Sequence, residues 1–211
     1  MSNTNKDKTV LIIDYGVGNL LSITKALDYL GYSYGVSNTV DDIVRYQSYI
    51  LPGVGAFGEA MRNINLLGVS EALCQEVKIQ KKPILGICLG MQLFAKSSTE
   101  DGHHQGLGLI EGSVEKINPG PENLKVPHVG WNEIIYDKKN PLFKNIDKNS
   151  CFYYDHSYHF ICDSGYKIAS CIYGDELTVA INRDNIYGFQ FHPESFLTEN
   201  GNFIIKKILS A

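Results

Sequence analysis

Between residues 9 and 97 short apolar runs alternate with stretches of helical periodicity, and that alternation limits the possible folds more than any other feature. TVLIID (9–14) is rich in β-branched residues and reads as a buried strand. A glycine loop, DYGVGN, follows it, and Leu20, Ile23, Leu27 and Leu30 then recur at helical spacing up to a natural stop at Gly31. YSYGVS and SYIL are the next strands, with the helical DDIVRYQ between them. Helical stretches lie within 57–67 and 69–81; Pro83 then opens a further buried strand, PILGIC, and 89–97 reads as helix. Strands followed in turn by helices predict a parallel sheet covered on both faces.

The second half changes character. GLGLI, SVEKI, NEIIY, CFYYD, YKIASCIY, LTVAI and IYGFQFH are strand-like, NPGPEN and KKNP are turn-like, and a helix, GNFIIKKILS, closes the sequence. The connections are too short for a second domain, so these strands are expected to extend the same sheet. The expected organisation is one domain over 1–211, with 1–8 as a polar N-terminal extension. A hydrophobic content of 44% supplies a core, and a net charge of −4 without a long basic run argues against nucleic acid as a partner. The first residues lack the apolar centre of a signal peptide, and no run is long enough to cross a membrane. Five cysteines, at 74, 88, 151, 162 and 171, include no C-x-x-C pair. They predict reduced thiols in the cytoplasm, with no disulfide framework, zinc site or cofactor.

One of these thiols sits in a special place. GICLGMQ (86–92) sets Cys88 between two glycines where the apolar run gives way to helix. In G-x-C-x-G, Gly86 and Gly90 remove side chains that would collide where strand and helix pack closely. This is the logic of the nucleophile elbow, with sulfur in place of oxygen. The helix N-terminus favours a thiolate there. The competing reading is a small buried hydrophobe, as free cysteines often are.

A thiolate needs a base, and the base an orienting group. FQFHPES (189–195) provides both: His192 at a strand tip, then Pro193, which stiffens the turn, then Glu194, placed to accept from one imidazole nitrogen while the other faces Cys88. The other histidines offer no metal site. His103 and His104 lie in the polar loop TEDGHHQG, His156 and His159 have no companion carboxylates or thiols, and His128 reads as a structural hydrogen-bonding group. DYGVGN is not a complete dinucleotide fingerprint, and no phosphate-loop lysine is present.

GICLGMQ and FQFHPE resemble the nucleophile and His/Glu motifs of class I glutamine amidotransferases. IIDYGVGN (12–19), LPGVGAFGEAM (51–61), GLGLIEGSV (106–114) and KVPHVGWN (125–132) narrow the likeness to the glutaminase-subunit (HisH) family of imidazole glycerol phosphate synthases. The resemblance spans nearly the whole chain. It implies a flavodoxin-like three-layer α/β/α fold, a mostly parallel central sheet extended by antiparallel strands. It also implies hydrolysis of L-glutamine through a glutamyl thioester on Cys88, with His192 moving the protons and Glu194 orienting it. The oxyanion donors would be the Leu89 amide and the peptides of Gly53, Val54 and Gly55. Gln92, Ser157 and Tyr158 would lie near the bound glutamine.

The family also implies a partner. Its acceptor subunit is a (β/α)8 barrel that takes ammonia through its axis and makes imidazole glycerol phosphate and AICAR in histidine biosynthesis. Trp131 and Asn132 are candidates for the interface of that heterodimer, and Tyr153 for the ammonia exit. Two positions depart from the family pattern. Ser195, followed by Phe196, stands where a lysine usually pairs with an acidic residue of the barrel, and Asp155 replaces an apolar residue. Both sit where a different barrel would be accommodated, such as one serving acetamidino-sugar synthesis for a bacterial surface. Other readings remain open: a freestanding γ-glutamyl hydrolase or peptidase, and a non-catalytic flavodoxin-like binding module.

Overall fold

The computed structural model describes residues 9–147, 150–195, 198 and 200–210. The expected extension 1–8 and Phe196 lie outside them. The alternating half runs β1 (Thr9–Ile13), α1 (Leu20–Leu30), β2 (Ser33–Ser37), α2 (Val40–Arg45), β3 (Ser48–Leu51), α3 (Phe57–Leu66), α4 (Ser70–Lys78), β4 (Ile84–Ile87) and α5 (Leu89–Gln92). Then come β5 (Ser97–Ser98), β6 (His104–Gln105), β7 (Ser113–Lys116), β8 (His128–Glu133), β9 (Ile135–Tyr136), β10 (Cys151–His156), β11 (Tyr158–Ile161), β12 (Lys167–Tyr173), β13 (Asp175–Arg183), β14 (Ile186–Phe189) and α6 (Gly201–Leu209). Local chemistry sets the ends of α1: the Asn19 side chain accepts from the Ser22 amide, and Gly31 takes the left-handed conformation at φ 72°.

The main sheet runs β2-β1-β3-β4-β14-β13-β11-β7-β5-β6, with β12 and then β9 branching from β13. From β2 to β14 neighbouring strands are parallel; β14 pairs antiparallel with β13 and opens the second half. Alternate residues of a strand face opposite sides, so Val10 and Ile12 pack with Ile23 and Leu27 of α1 and Ile204, Ile205 and Ile208 of α6. Leu11 and Ile13 pack with Phe57, Ala60 and Ile64 of α3 and Leu73 and Val77 of α4. These are the two apolar layers of an α/β/α sandwich.

Three expectations need correction. The strand-rich half does not all join the main sheet: β8 and β10 pair with each other as a separate antiparallel ribbon. The helix expected over 89–97 stops at Gln92. GLGLI is a loop rather than a strand, and it ends that helix. The Leu107 amide donates to the Leu93 carbonyl, Leu109 and Ile110 to Phe94, and Gly108 to Ala95, engaging the acceptors that a continuing helix would use.

Candidate active site

β4 ends against the start of α5, and Cys88 occupies the corner with φ 53° and ψ −112°. A positive φ on a residue with a Cβ costs about 1–3 kcal/mol, so the packing around it must enforce the turn. The Cys88 amide donates to the Phe189 carbonyl of β14 at 2.7 Å. A Cβ on Gly90 would collide with the Leu51 carbonyl, and one on Gly86 would sit 2.7 Å from both the Gly90 carbonyl oxygen and the Phe94 ring. The two glycines are therefore required by close approach, as the motif predicted.

The parallel register Ile87↔Phe189 puts the tips of β4 and β14 side by side, and this carries His192 to Cys88. His192 Nδ1 lies 2.8 Å from Glu194 Oε1, and both side chains are largely buried. Burial pushes the imidazole pKa down, but hydrogen bonds to Cys88 and Glu194, and the charges on both, outweigh it and raise the pKa to about 11. These contacts favour the protonated form of the ring. The His192 amide donates to the Tyr153 carbonyl, fixing the ring's backbone against β10.

Cys88 opens into a cavity of about 250 Å³, which Val54, Gly55, Leu89, Gln92, Ser157, Tyr158 and His192 help to line. Gly53 lies behind this wall. A Cβ there would meet the Tyr15 hydroxyl, Leu89 Cβ at 2.8 Å and the Gly90 amide nitrogen at 3.0 Å. Gly55 is glycine for a different reason, a φ of 108° in open space. The segment is anchored at both ends. The buried Tyr15 hydroxyl donates to the Pro52 carbonyl, and the Phe57 amide donates to Glu100 Oε2 at 2.6 Å. Burial pushes the Tyr15 phenol up, so it remains a donor.

Gln92 is buried. Its Nε2 donates to the Tyr158 carbonyl and to Gln190 Oε1, both at 2.9 Å. Trp131 is about half exposed on β8, its ring 5.8 Å from that of Tyr153 on β10, and Tyr153 in turn is 6.2 Å from the His192 ring. The Asn132 side chain turns away from this face and donates to the Ile172 carbonyl at 3.0 Å. Ser195 is partly exposed, and its amide donates to the His192 carbonyl. Among the described residues, no three His, Cys, Asp or Glu side chains are grouped so that they could hold a metal.

Several residues at the site were not singled out from sequence. Gln190 is fully buried and its Nε2 donates to Cys88 Sγ at 3.6 Å. A polar residue in a strand covered on both faces must find a partner, and that was the available signal. Glu100 lines the cavity from a segment expected to be a solvated loop. That segment is the β5–β6 hairpin, and the His104 ring fills the space beside Gly58, where α3 starts. Asp155, marked in the sequence as a departure from the family pattern, and His156, weighed there only as a metal ligand, also line the cavity, and the Asp155 carbonyl is 3.9 Å from Cys88 Sγ.

A three-layer α/β fold with an imidazole–carboxylate pair beside a cysteine on a strained strand-to-helix turn defines a class of thiol-dependent hydrolytic enzymes. The chain belongs to the class-I glutamine amidotransferase family, whose sequence model matches residues 11–211. Among curated proteins it is 44% identical over 185 residues to imidazole glycerol phosphate synthase subunit HisH 1 of Campylobacter jejuni (strain RM1221), covering 88% of this chain and 92% of the relative. It is 46% identical to subunit HisH of Listeria monocytogenes serovar 1/2a, covering 88% of each. The fold is similar to that of a solved glutamine amidotransferase, with a TM-score of 0.75, 17% identity and coverage of 96% and 99% of the two chains. It is also similar to a chain of PurLQS from Thermotoga maritima, with a TM-score of 0.71, 19% identity and coverage of 97% and 99%.

Proposed function

We propose that the chain is the glutaminase subunit of a cytoplasmic imidazole glycerol phosphate synthase, delivering ammonia to a (β/α)8-barrel partner for histidine biosynthesis. The observation that carries this reading is the Cys88–His192–Glu194 constellation at the wall of an amino-acid-sized cavity. The Cys88 thiolate attacks the side-chain amide carbon of glutamine. His192 gives its proton to the departing nitrogen, so ammonia leaves and a glutamyl thioester remains. Water, losing a proton to His192, then attacks the thioester and releases glutamate and the thiolate. Glu194 keeps the ring oriented and stabilises its cationic form. The Leu89 amide at the start of α5 and a peptide N–H within Gly53–Gly55 are the oxyanion donors. Glu100, an acidic residue of the cavity lining, is assigned to the substrate's ammonium group, and Gln92, Ser157 and Tyr158 of the same lining to the rest of the glutamine.

Free ammonia in neutral water is mostly protonated and no longer nucleophilic, so it needs a closed route to its acceptor. The half-exposed Trp131 with Tyr153, beside His192, is the surface we assign to barrel docking and ammonia exit. The test is glutamate release by the full chain alone and with the histidine-pathway barrel loaded with its acceptor. Strong stimulation supports the reading, and equal rates favour a freestanding hydrolase. A second reading, pairing with a surface-sugar barrel, is favoured by Ser195 in place of lysine and by the exposed Asp155 at the cavity. It predicts stimulation by that barrel alone.

A further inference from the structure

His156 of the cavity wall and His128, which lies outside the lining, form a polar connection that the glutaminase chemistry does not use. His128 Nδ1 lies 3.1 Å from His156 Nε2, and His156 Nδ1 lies 2.9 Å from the Tyr158 carbonyl oxygen. Both rings are buried. His128 is stacked between the rings of Tyr154 and Tyr173, at centroid distances of 4.6 and 4.0 Å. At the outer end Asn132 Nδ2 lies 3.5 Å from His128 Nε2, the longest of these contacts.

The direction of every proton in this series follows from its two ends. A carbonyl only accepts, so the Tyr158 oxygen requires the proton of His156 on Nδ1. His156 Nε2 is then an acceptor, and His128 must donate from Nδ1. His128 Nε2 is left with a lone pair. At the far end the Asn132 amide is oriented independently: its Nδ2 donates to the Ile172 carbonyl, and its Oδ1 accepts from the Glu133 amide. That orientation presents an N–H to His128 Nε2, as the inner end demands. The two ends agree, and one tautomer of each ring satisfies the whole series.

The inner end reaches the substrate side of the cavity. The Tyr158 carbonyl accepts from both His156 and Gln92, which engages both of its lone pairs and pins the Tyr158–His159 peptide, on the C-terminal side of the Ser157–Tyr158 segment. Gln92 continues to Gln190, and Gln190 to Cys88. The outer end lies on β8, next to Trp131 on the ribbon assigned above to docking.

We propose that His128, acting through His156, is a positioning residue for the glutamine-binding segment Ser157–Tyr158 and links that segment to Asn132 on the β8–β10 ribbon. The proposal rests on the glutaminase reading for the identity of the ligand. Without the His128 donor, His156 is free to take the other tautomer. It would then present a lone pair to the Tyr158 oxygen and release that peptide.

Two substitutions separate positioning from packing. His128→Phe keeps the aromatic stack and removes the donor, whereas His128→Asn places a side-chain N–H near the position of Nδ1 and gives up the stack. Steady-state glutamate release by the full chain is measured for wild type and both variants. The expected result is a glutamine KM about tenfold higher for His128→Phe, with kcat within about threefold of wild type, and a KM near wild type for His128→Asn. A packing role predicts the opposite order. The proposal is overturned if His128→Phe keeps the wild-type KM or if His128→Asn is no better than Phe. Nitrogen-15 spectra of the histidine-labelled wild type provide a readout that needs no variant: both rings must be in the Nδ1–H form, and an Nε2–H form of either overturns the proposal. A wild type that releases no glutamate, by contrast, counts against the glutaminase reading itself.

Discussion

Gly53→Ala tests whether the segment between Pro52 and Phe57 supplies an oxyanion donor. The added methyl has no room. It would fall against the Tyr15 hydroxyl, 2.8 Å from Leu89 Cβ and 3.0 Å from the Gly90 nitrogen, about 0.5–1 Å inside ordinary contact distance. Two of these neighbours belong to the turn that carries Cys88, which is held by the sheet, so the Gly53 peptide must yield. A displacement of about 1 Å costs on the order of a hundredfold in rate, and complete loss of one oxyanion donor costs about 10²–10³. We therefore expect kcat for glutamate release to fall about a hundredfold, with the glutamine KM changed no more than about threefold, because the donors act mainly on the transition state. Gly55→Ala is the comparison: its methyl enters open space and incurs only the strain of φ 108°, which bears on stability more than on position. The assay is steady-state glutamate production with thermal melts of both variants. A kcat for Gly53→Ala within about threefold of wild type, in a folded protein, would refute the assignment of this segment.

Cys88→Ala is expected to abolish glutamate release while leaving the thermal midpoint near that of wild type or higher, because alanine keeps the buried volume nearly filled; residual wild-type turnover would remove the thioester route. Burial pushes the His128 pKa to about 4 and that of His156 to about 3, so between about pH 6.5 and 4 the unfolded chain binds protons that the folded chain refuses. The stability these rings contribute is present above pH 6.5 and is lost as pH falls, by up to about 1.4 kcal/mol per pH unit for each ring. Urea melts at pH 7.5 and 5 measure this loss, and His128→Asn should lessen it. Ser195→Lys is expected to tighten binding up to about tenfold to a barrel that carries a carboxylate opposite this position. An unchanged dissociation constant with such a barrel would show that position 195 has no say in partner choice.

The elements legible in the sequence are those whose hydrogen bonds and burial are local. β1, β3 and β4 are mostly apolar because both faces of the sheet are covered, and α1 shows its glycine stop. Cys88 could be read because the geometry it needs excludes side chains at 86 and 90, which leaves a visible glycine pattern. Other features depend on partners distant in the chain. The early end of α5 depends on a loop fifteen residues away that takes its carbonyls. Gln190 signals only that a polar residue at a covered strand tip needs a partner; that the partners are Gln92 and Cys88, distant in the chain, has no local signature. Glu100 lies in a polar stretch whose folding back over the start of α3 has no local signature. The β8–β10 ribbon has the strand pattern of its neighbours, and no residue within it announces that it leaves the main sheet.

The pairing of β4 with β14 has a consequence for the chain before it is finished. Ile84–Ile87 bond to Ile186–Phe189, a ladder that closes a loop of about a hundred residues. Contacts of such long range form late, and during synthesis they await nearly the entire sequence. Until then Cys88 has no Gln190, no His192 and no Glu194 beside it. It remains an ordinary thiol, slow to react with amides or alkylating agents. An incomplete or misfolded chain therefore wastes no glutamine. The alkylation rate of this one sulfur, followed during refolding, becomes a clock for the last step of assembly.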